Sequence, residues 1–136
     1  MAVEIDGSYT GSLKMELTHG PSGAVIHTAA PKDNNGDGSS FSPTDLLAAA
    51  LGSCAVTTMA IVAQREGVAF GEARFHVEKH MESDPRRVGN LPLTITMPRG
   101  LDTAARTRLE SIARGCPVAR SLGEDVRKEM TFVYEE

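Results

Sequence analysis

No basic run longer than Arg86-Arg87 occurs in the 136-residue chain, and the formal net charge is −4. That balance leaves no electrostatic footprint for nucleic acid. The opening residues Met1-Ala2-Val3-Glu4-Ile5-Asp6 lack both a basic region and an apolar core. No signal peptide is therefore expected, and the cytoplasm is the expected compartment. Internal repeats, low-complexity tracts and linkers are absent too, which predicts one domain over residues 1–136. Cysteine is scarce, with only Cys54 and Cys116. Two are too few for a secreted disulfide framework, so they are either inert core thiols or redox groups.

What the chain does have is one long apolar stretch, Phe41 to Gly67. Ser42 is a good N-cap, Pro43 suits the first helical position, and Asp45 favours the dipole there. Between Leu46 and Ala63 the polar side chains besides Cys54 are Ser53, Thr57 and Thr58. Gly67 is the expected stop. At 1.5 Å per residue the helix would span roughly 36 Å. A rod apolar nearly all round must be buried on most faces, and a domain this small has little core to hide it. The small residues Ala48, Ala49, Ala50, Gly52 and Ala55 would let another backbone come close, so a second chain is expected to help. Asp45, and the shortage of Leu, Ile and Phe between Gly52 and Met59, argue against a membrane span.

Strand patterns flank the helix. Val3 to Tyr9, then Leu13, Met15 and Leu17 alternating with polar residues, then Ala24 to Ala29, predict an antiparallel meander. Ala73, Phe75, Val77 and Met81 predict a long strand, Ser83 to Asn90 a turn, and Leu93, Ile95 and Met97 its return. Asp102 should cap a second helix ending at Gly115, Pro117 should start a short third one, and Met130, Phe132 and Tyr134 should form a last strand. The predicted class is α+β, in the order βββ-α-ββ-α-α-β with antiparallel sheets.

No metal site is expected. Asp33-x-Asn35-x-Asp37-Gly38 opens like a calcium loop, but Thr44 stands where the bidentate glutamate belongs. A flexible turn is the better reading. His76 and His80 would share a strand face, yet four residues separate them by roughly 13 Å along a strand. His19 and His27 show no ligand spacing either.

The cysteines differ in setting. Cys54 lies on the stripe Leu47, Ala50, Leu51, Thr58 and Ile61, where desolvation would keep its thiol protonated. Cys116 stands at an N-cap position, with the N–H groups of Val118 and Ala119 aimed toward its sulfur and Arg120 one turn on. Local chemistry alone nominates Cys116 as the more reactive sulfur.

The stretch Ser42-Pro43-Thr44-Asp45-Leu46-Leu47-Ala48-Ala49-Ala50-Leu51-Gly52-Ser53-Cys54 resembles the central-helix motif of the OsmC/Ohr family of thiol peroxidases. Gly115-Cys116-Pro117-Val118 resembles the family's second motif, and the order of elements matches over essentially the whole chain. The resemblance implies an intertwined homodimer in which Cys54 is the peroxidatic nucleophile and Cys116 resolves it. Cys54 would become a sulfenic acid and condense with Cys116 to a disulfide. It also implies an apolar pocket for an organic hydroperoxide beside Leu47, Leu51 and Met59. No bound cofactor would be needed, and an external dithiol would regenerate the protein in oxidative-stress defence.

One departure stands out. The family's motif glutamate position is Thr44 here, and no arginine precedes Arg65. A cation for the Cys54 thiolate must then come from Arg74, Arg99, Arg120 or Lys14, with Arg120 preferred for its place one turn after Cys116. The alternative is a non-catalytic binding module, in which the dimer cleft holds a small lipophilic ligand and the cysteines merely pack.

Overall fold

The computed structural model describes residues 1–135. The chain divides into two compact units, Met1–Leu47 and the remainder from Ala48, with the long helix running across the boundary.

The first unit is the expected meander. Strands β1 (Ile5–Gly11), β2 (Lys14–His19) and β3 (Val25–Ala29) pair antiparallel in that order. Leu13 is not part of β2 as expected. It sits with Ser12 in the two-residue link, both at positive φ, 61° and 56°. That conformation matches the twist of a tight hairpin, and the register shift between Tyr9 and Gly11 accommodates it. In the loop after β3, the Asp37 carboxylate accepts the Ser39 N–H at 3.0 Å and pairs with Lys14 Nζ at 2.9 Å. Those bonds, Ser39 first, hold its carboxyl below the usual range. Ser42 then caps the long helix α1 (Pro43–Arg65) reciprocally. Its Oγ accepts the Asp45 N–H at 3.1 Å while Asp45 Oδ2 accepts the Ser42 N–H at 2.9 Å.

In the second unit α1 ends where Gly67, at φ 71°, closes a Schellman turn. Val68 N–H donates to Ala63 and Gly67 N–H to Gln64, at 2.8 and 3.4 Å. The buried face of α1 is Ala48, Leu51, Gly52, Ala55, Met59 and Ala63. Ser53, Thr57 and Ile61 lie exposed on the other side. By length and composition α1 is also long and apolar enough to cross a membrane.

The region after α1 departs from expectation. Instead of two strands there are four, β4 (Arg74–Val77), β5 (His80–Glu82), β6 (Arg87–Asn90) and β7 (Leu93–Met97). The predicted long strand breaks at Glu78-Lys79, and the predicted turn contains β6, which forms a separate hairpin with β5. Polar bonds hold that hairpin in place of apolar alternation. Arg87 pairs with Glu82 at 2.7 Å and donates to the Ser83 and Pro85 carbonyls at 3.0 Å. The break also brings both His76 and His80 onto the Glu78 carboxylate, at 3.8 and 2.9 Å.

The second sheet is not wholly antiparallel either. Helix α2 (Thr103–Arg114) and helix α3 (Pro117–Ser121) carry the chain from β7 to β8 (Met130–Tyr134), and β8 joins β7 in parallel. A crossover of this kind returns the chain to the end where β7 began, whereas a tight turn would have reversed it. The sheet order is β4-β7-β8. Leu93, Ile95 and Met97 alternate inward along β7 and are buried with Leu109 and Ala113 of α2. Asp102 caps α2 by accepting the Ala105 N–H at 2.8 Å.

Candidate active site

Cys54 is carried on the flank of α1, between its buried and exposed faces, and is half-buried. The stripe it shares with Leu47, Ala50, Leu51, Thr58 and Ile61 is not wholly buried as expected, since Ile61 is 48% exposed. Two residues before it, Gly52 lies against the ring of Phe75 from β4, so closely that a Cβ there would overlap the ring. Phe75 thus fixes how near β4 approaches the turn that carries the thiol.

Cys116 comes from the junction of α2 and α3. Gly115 closes α2, and a Cβ on it would stand 2.9 Å from Arg120 Nη2. Cys116 is then the N-cap residue of α3, with extended backbone (φ −63°, ψ 156°) and Pro117 behind it. Its side chain is 1% exposed. The Cys54 side chain lies close enough to Cys116 to act on its ionisation, and both are free thiols. Bringing together two cysteines 62 positions apart in the sequence, 116 − 54, is the central fact of the site.

The electrostatics reverse the local reading of Cys116. Burial pushes its thiol pKa up, and the Cys54 side chain pushes in the same direction. The N–H groups of Ala119 and Val118 do pull it down, as its cap position leads one to expect. They form no capping hydrogen bond with the sulfur, however, and burial prevails.

Cys54 has a second polar neighbour that sequence reasoning placed nearby without giving it a role. Thr58 Oγ1, one turn further along α1, lies 3.8 Å from the Cys54 sulfur. The signal was the spacing of four, which puts two side chains on one helix face.

Three of the four candidate cations are engaged elsewhere. Arg120 Nε donates to the Gly115 carbonyl at 2.6 Å. Arg74 pairs with Glu135 at 3.1 Å, and Lys14 with Asp37. Arg99 lines an open cleft with Gly71, Glu72 and Met97. Thr44, in the glutamate position, has its hydroxyl 3.2 Å from that of Ser42. Leu51 and Met59, expected to wall a ligand pocket, have no exposed surface, and Leu47 is half-buried. A cleft of about 530 Å³ opens between the end of α1 and the start of α2, but neither sulfur lines it.

The paired thiols on this scaffold can be compared with known proteins. The family model described as OsmC-like protein matches residues 36–131. The chain belongs to the OsmC-like family. A solved structure from Psychrobacter arcticus, provisionally named for osmotic stress induction and detoxification response, is 36% identical. It covers 94% of this chain and 93% of its own, with a TM-score of 0.89. An organic hydroperoxide resistance protein of Legionella pneumophila shares the fold at a TM-score of 0.79 and 16% identity, covering 98% of this chain and 97% of its own. One from Elizabethkingia anophelis does so at a TM-score of 0.78 and 16% identity, covering 99% and 97%. No curated protein matches the chain. In this OsmC-like chain both motif cysteines, the capped central helix and the α2–α3 junction therefore lie within the matched residues.

Proposed function

We propose that this OsmC-like protein is a thiol peroxidase that reduces organic hydroperoxides with the Cys54–Cys116 pair. The observation that carries the reading is a half-buried Cys54 thiol close enough to the buried Cys116 to raise its pKa. In the first step the Cys54 thiolate attacks the distal oxygen of the hydroperoxide. The O–O bond breaks, sulfur is oxidised to sulfenic acid, and the alkoxide leaves as the alcohol after taking a proton. The Cys116 sulfur then attacks the sulfenic sulfur, forming a disulfide and releasing water with the Cys116 proton. An external dithiol, such as a dihydrolipoyl group, reduces the disulfide and is itself oxidised to a cyclic disulfide. No metal or bound cofactor enters this cycle.

The working form in this reading is an intertwined homodimer. Supporting it, Ile61 on α1 and Ile5, Tyr9, Val25, Ile26 and Phe41 of the first unit are exposed. Apolar surface in each unit is normally covered, and a second copy supplies the same residues in return. The hydroperoxide pocket, bounded by Leu47 and backed by Leu51 and Met59, would be completed by that second copy. Arg120 keeps a proposed role as thiolate stabiliser only if its guanidinium leaves the Gly115 carbonyl. The cytoplasm is the compartment in which a reducible dithiol would cycle, and oxidative-stress defence the setting.

Turnover of cumene hydroperoxide or tert-butyl hydroperoxide with dihydrolipoamide tests the reading. Consumption lost in Cys54→Ser supports it. A wild-type protein that consumes neither peroxide, while binding a small lipophilic probe, would favour the alternative of a non-catalytic binding module.

A further inference from the structure

Arg74, Arg120 and Lys14 are engaged away from Cys54 and Arg99 lines a cleft that neither sulfur enters, yet a peroxidatic cysteine reacts as the anion. We infer that the Thr58 hydroxyl is a hydrogen-bond donor to the Cys54 thiolate, so that a neutral donor in this chain does what a guanidinium would otherwise do. This deepens the peroxidase reading and rests on Cys54 being the attacking sulfur.

The argument is one of donor count. Thr58 Oγ1 lies 3.8 Å from the Cys54 sulfur, and with both groups neutral either atom can donate. Once Cys54 is ionised its sulfur can only accept, so the hydroxyl must turn its proton toward it. A contact that is weak and two-way in the thiol becomes charge-assisted and one-way in the thiolate. Only that difference moves an acid–base equilibrium, and it favours the anion. No proton transfer is involved, since the Thr58 hydroxyl retains its hydrogen.

The charged groups on the neighbouring element are spoken for. On β4, Arg74 and His76 flank the Phe75 that meets Gly52; Arg74 pairs with Glu135 and His76 with Glu78. At the α2–α3 junction, Arg120 donates to Gly115, and on the exposed face of α1 Ser53 and Thr57 carry no charge.

The test is the pH profile of Cys54 alkylation by iodoacetamide, read by mass spectrometry between pH 5 and 10 in the full-length protein. Iodoacetamide is neutral, so a change in local charge does not attract or repel it. Thr58→Val keeps the branched shape and removes the donor. It should raise the midpoint by about half a unit, so that alkylation at pH 7 slows about threefold. The plateau rate at high pH should not change, which separates lost anion stabilisation from altered access. Thr58→Ser should follow wild type, and Thr57→Val, on the exposed face, should have no effect. If Thr58→Val does not fold, Thr58→Ala gives the same reading. A midpoint unmoved in the valine and alanine variants, or moved equally by serine, overturns the inference. Hydroperoxide turnover is measured separately. A wild-type protein without turnover sinks the peroxidase reading but leaves the midpoint comparison standing.

Discussion

The ring of Phe75 occupies the space that a side chain at Gly52 would need. This contact joins β4 to α1 two residues before Cys54, and the absence of a Cβ is what allows it. Gly52→Ala should therefore force the ring or the helix to shift, at a cost of about 1–3 kcal/mol. Urea denaturation would show a lower midpoint, and combining the change with Phe75→Ala should recover part of the loss. A stable Gly52→Ala protein would mean the ring yields freely and does not set the spacing.

Cys116 should respond to its neighbour. The Cys54 side chain raises the Cys116 pKa, so Cys54→Ala should lower it while burial still holds it above the free-thiol range. Labelling at neutral pH should modify Cys54 before Cys116 in the wild type. Equal labelling of both thiols would contradict the burial argument.

The same raised pKa has a consequence for stability. The unfolded chain releases the Cys116 proton near the free-cysteine value of about 8.5, and the folded chain releases it later. Its contribution to stability is thus complete below about pH 8.5 and is lost as the pH rises through the folded value. Between pH 7 and 10 the wild type should lose more stability than Cys116→Ala, as read by urea midpoints. Parallel losses would show that Cys116 ionises alike in both states.

The Ser42–Asp45 exchange predicts a folding effect away from the thiols. Ser42→Ala removes the acceptor for the Asp45 N–H in a residue that is 1% exposed. The expected loss is about 1 kcal/mol, with Ser42→Asp or Ser42→Thr recovering some of it. Thermal melts of the three variants order them directly.

Dimerisation is read by sedimentation at low micromolar concentration. A single species of twice the chain mass, with no folded monomer, is expected for the proposed two-chain arrangement. A stable monomer would mean that the exposed apolar residues of the first unit need no cover.

Much of this architecture is legible in local chemistry. Ser42, Pro43, Gly67 and Asp102 each carry a capping signal, and the helices they delimit start and stop there. The meander follows from alternation. What local pattern did not reveal is decided by distant partners. Strand β6 has Val88 as its one large apolar residue and is held instead by Arg87 bonds. The direction of β8 depends on the path of the whole crossover. Leu13 reads as a strand residue until the Tyr9–Gly11 irregularity places it in the turn. At the candidate site, the N-cap position of Cys116 was visible in Cys116-Pro117, but the burial that outweighs it was not. Leu51 and Met59 were rightly apolar, and the structure places them in the core.

The most direct measurement of the peroxidase reading is peptide mapping by mass spectrometry after one substoichiometric addition of cumene hydroperoxide. A disulfide between Cys54 and Cys116 within one chain is predicted, in proportion to the peroxide added, with Cys116→Ser trapping a sulfenic acid at Cys54 instead. Recovery of both thiols unmodified, with the peroxide still present, would contradict it.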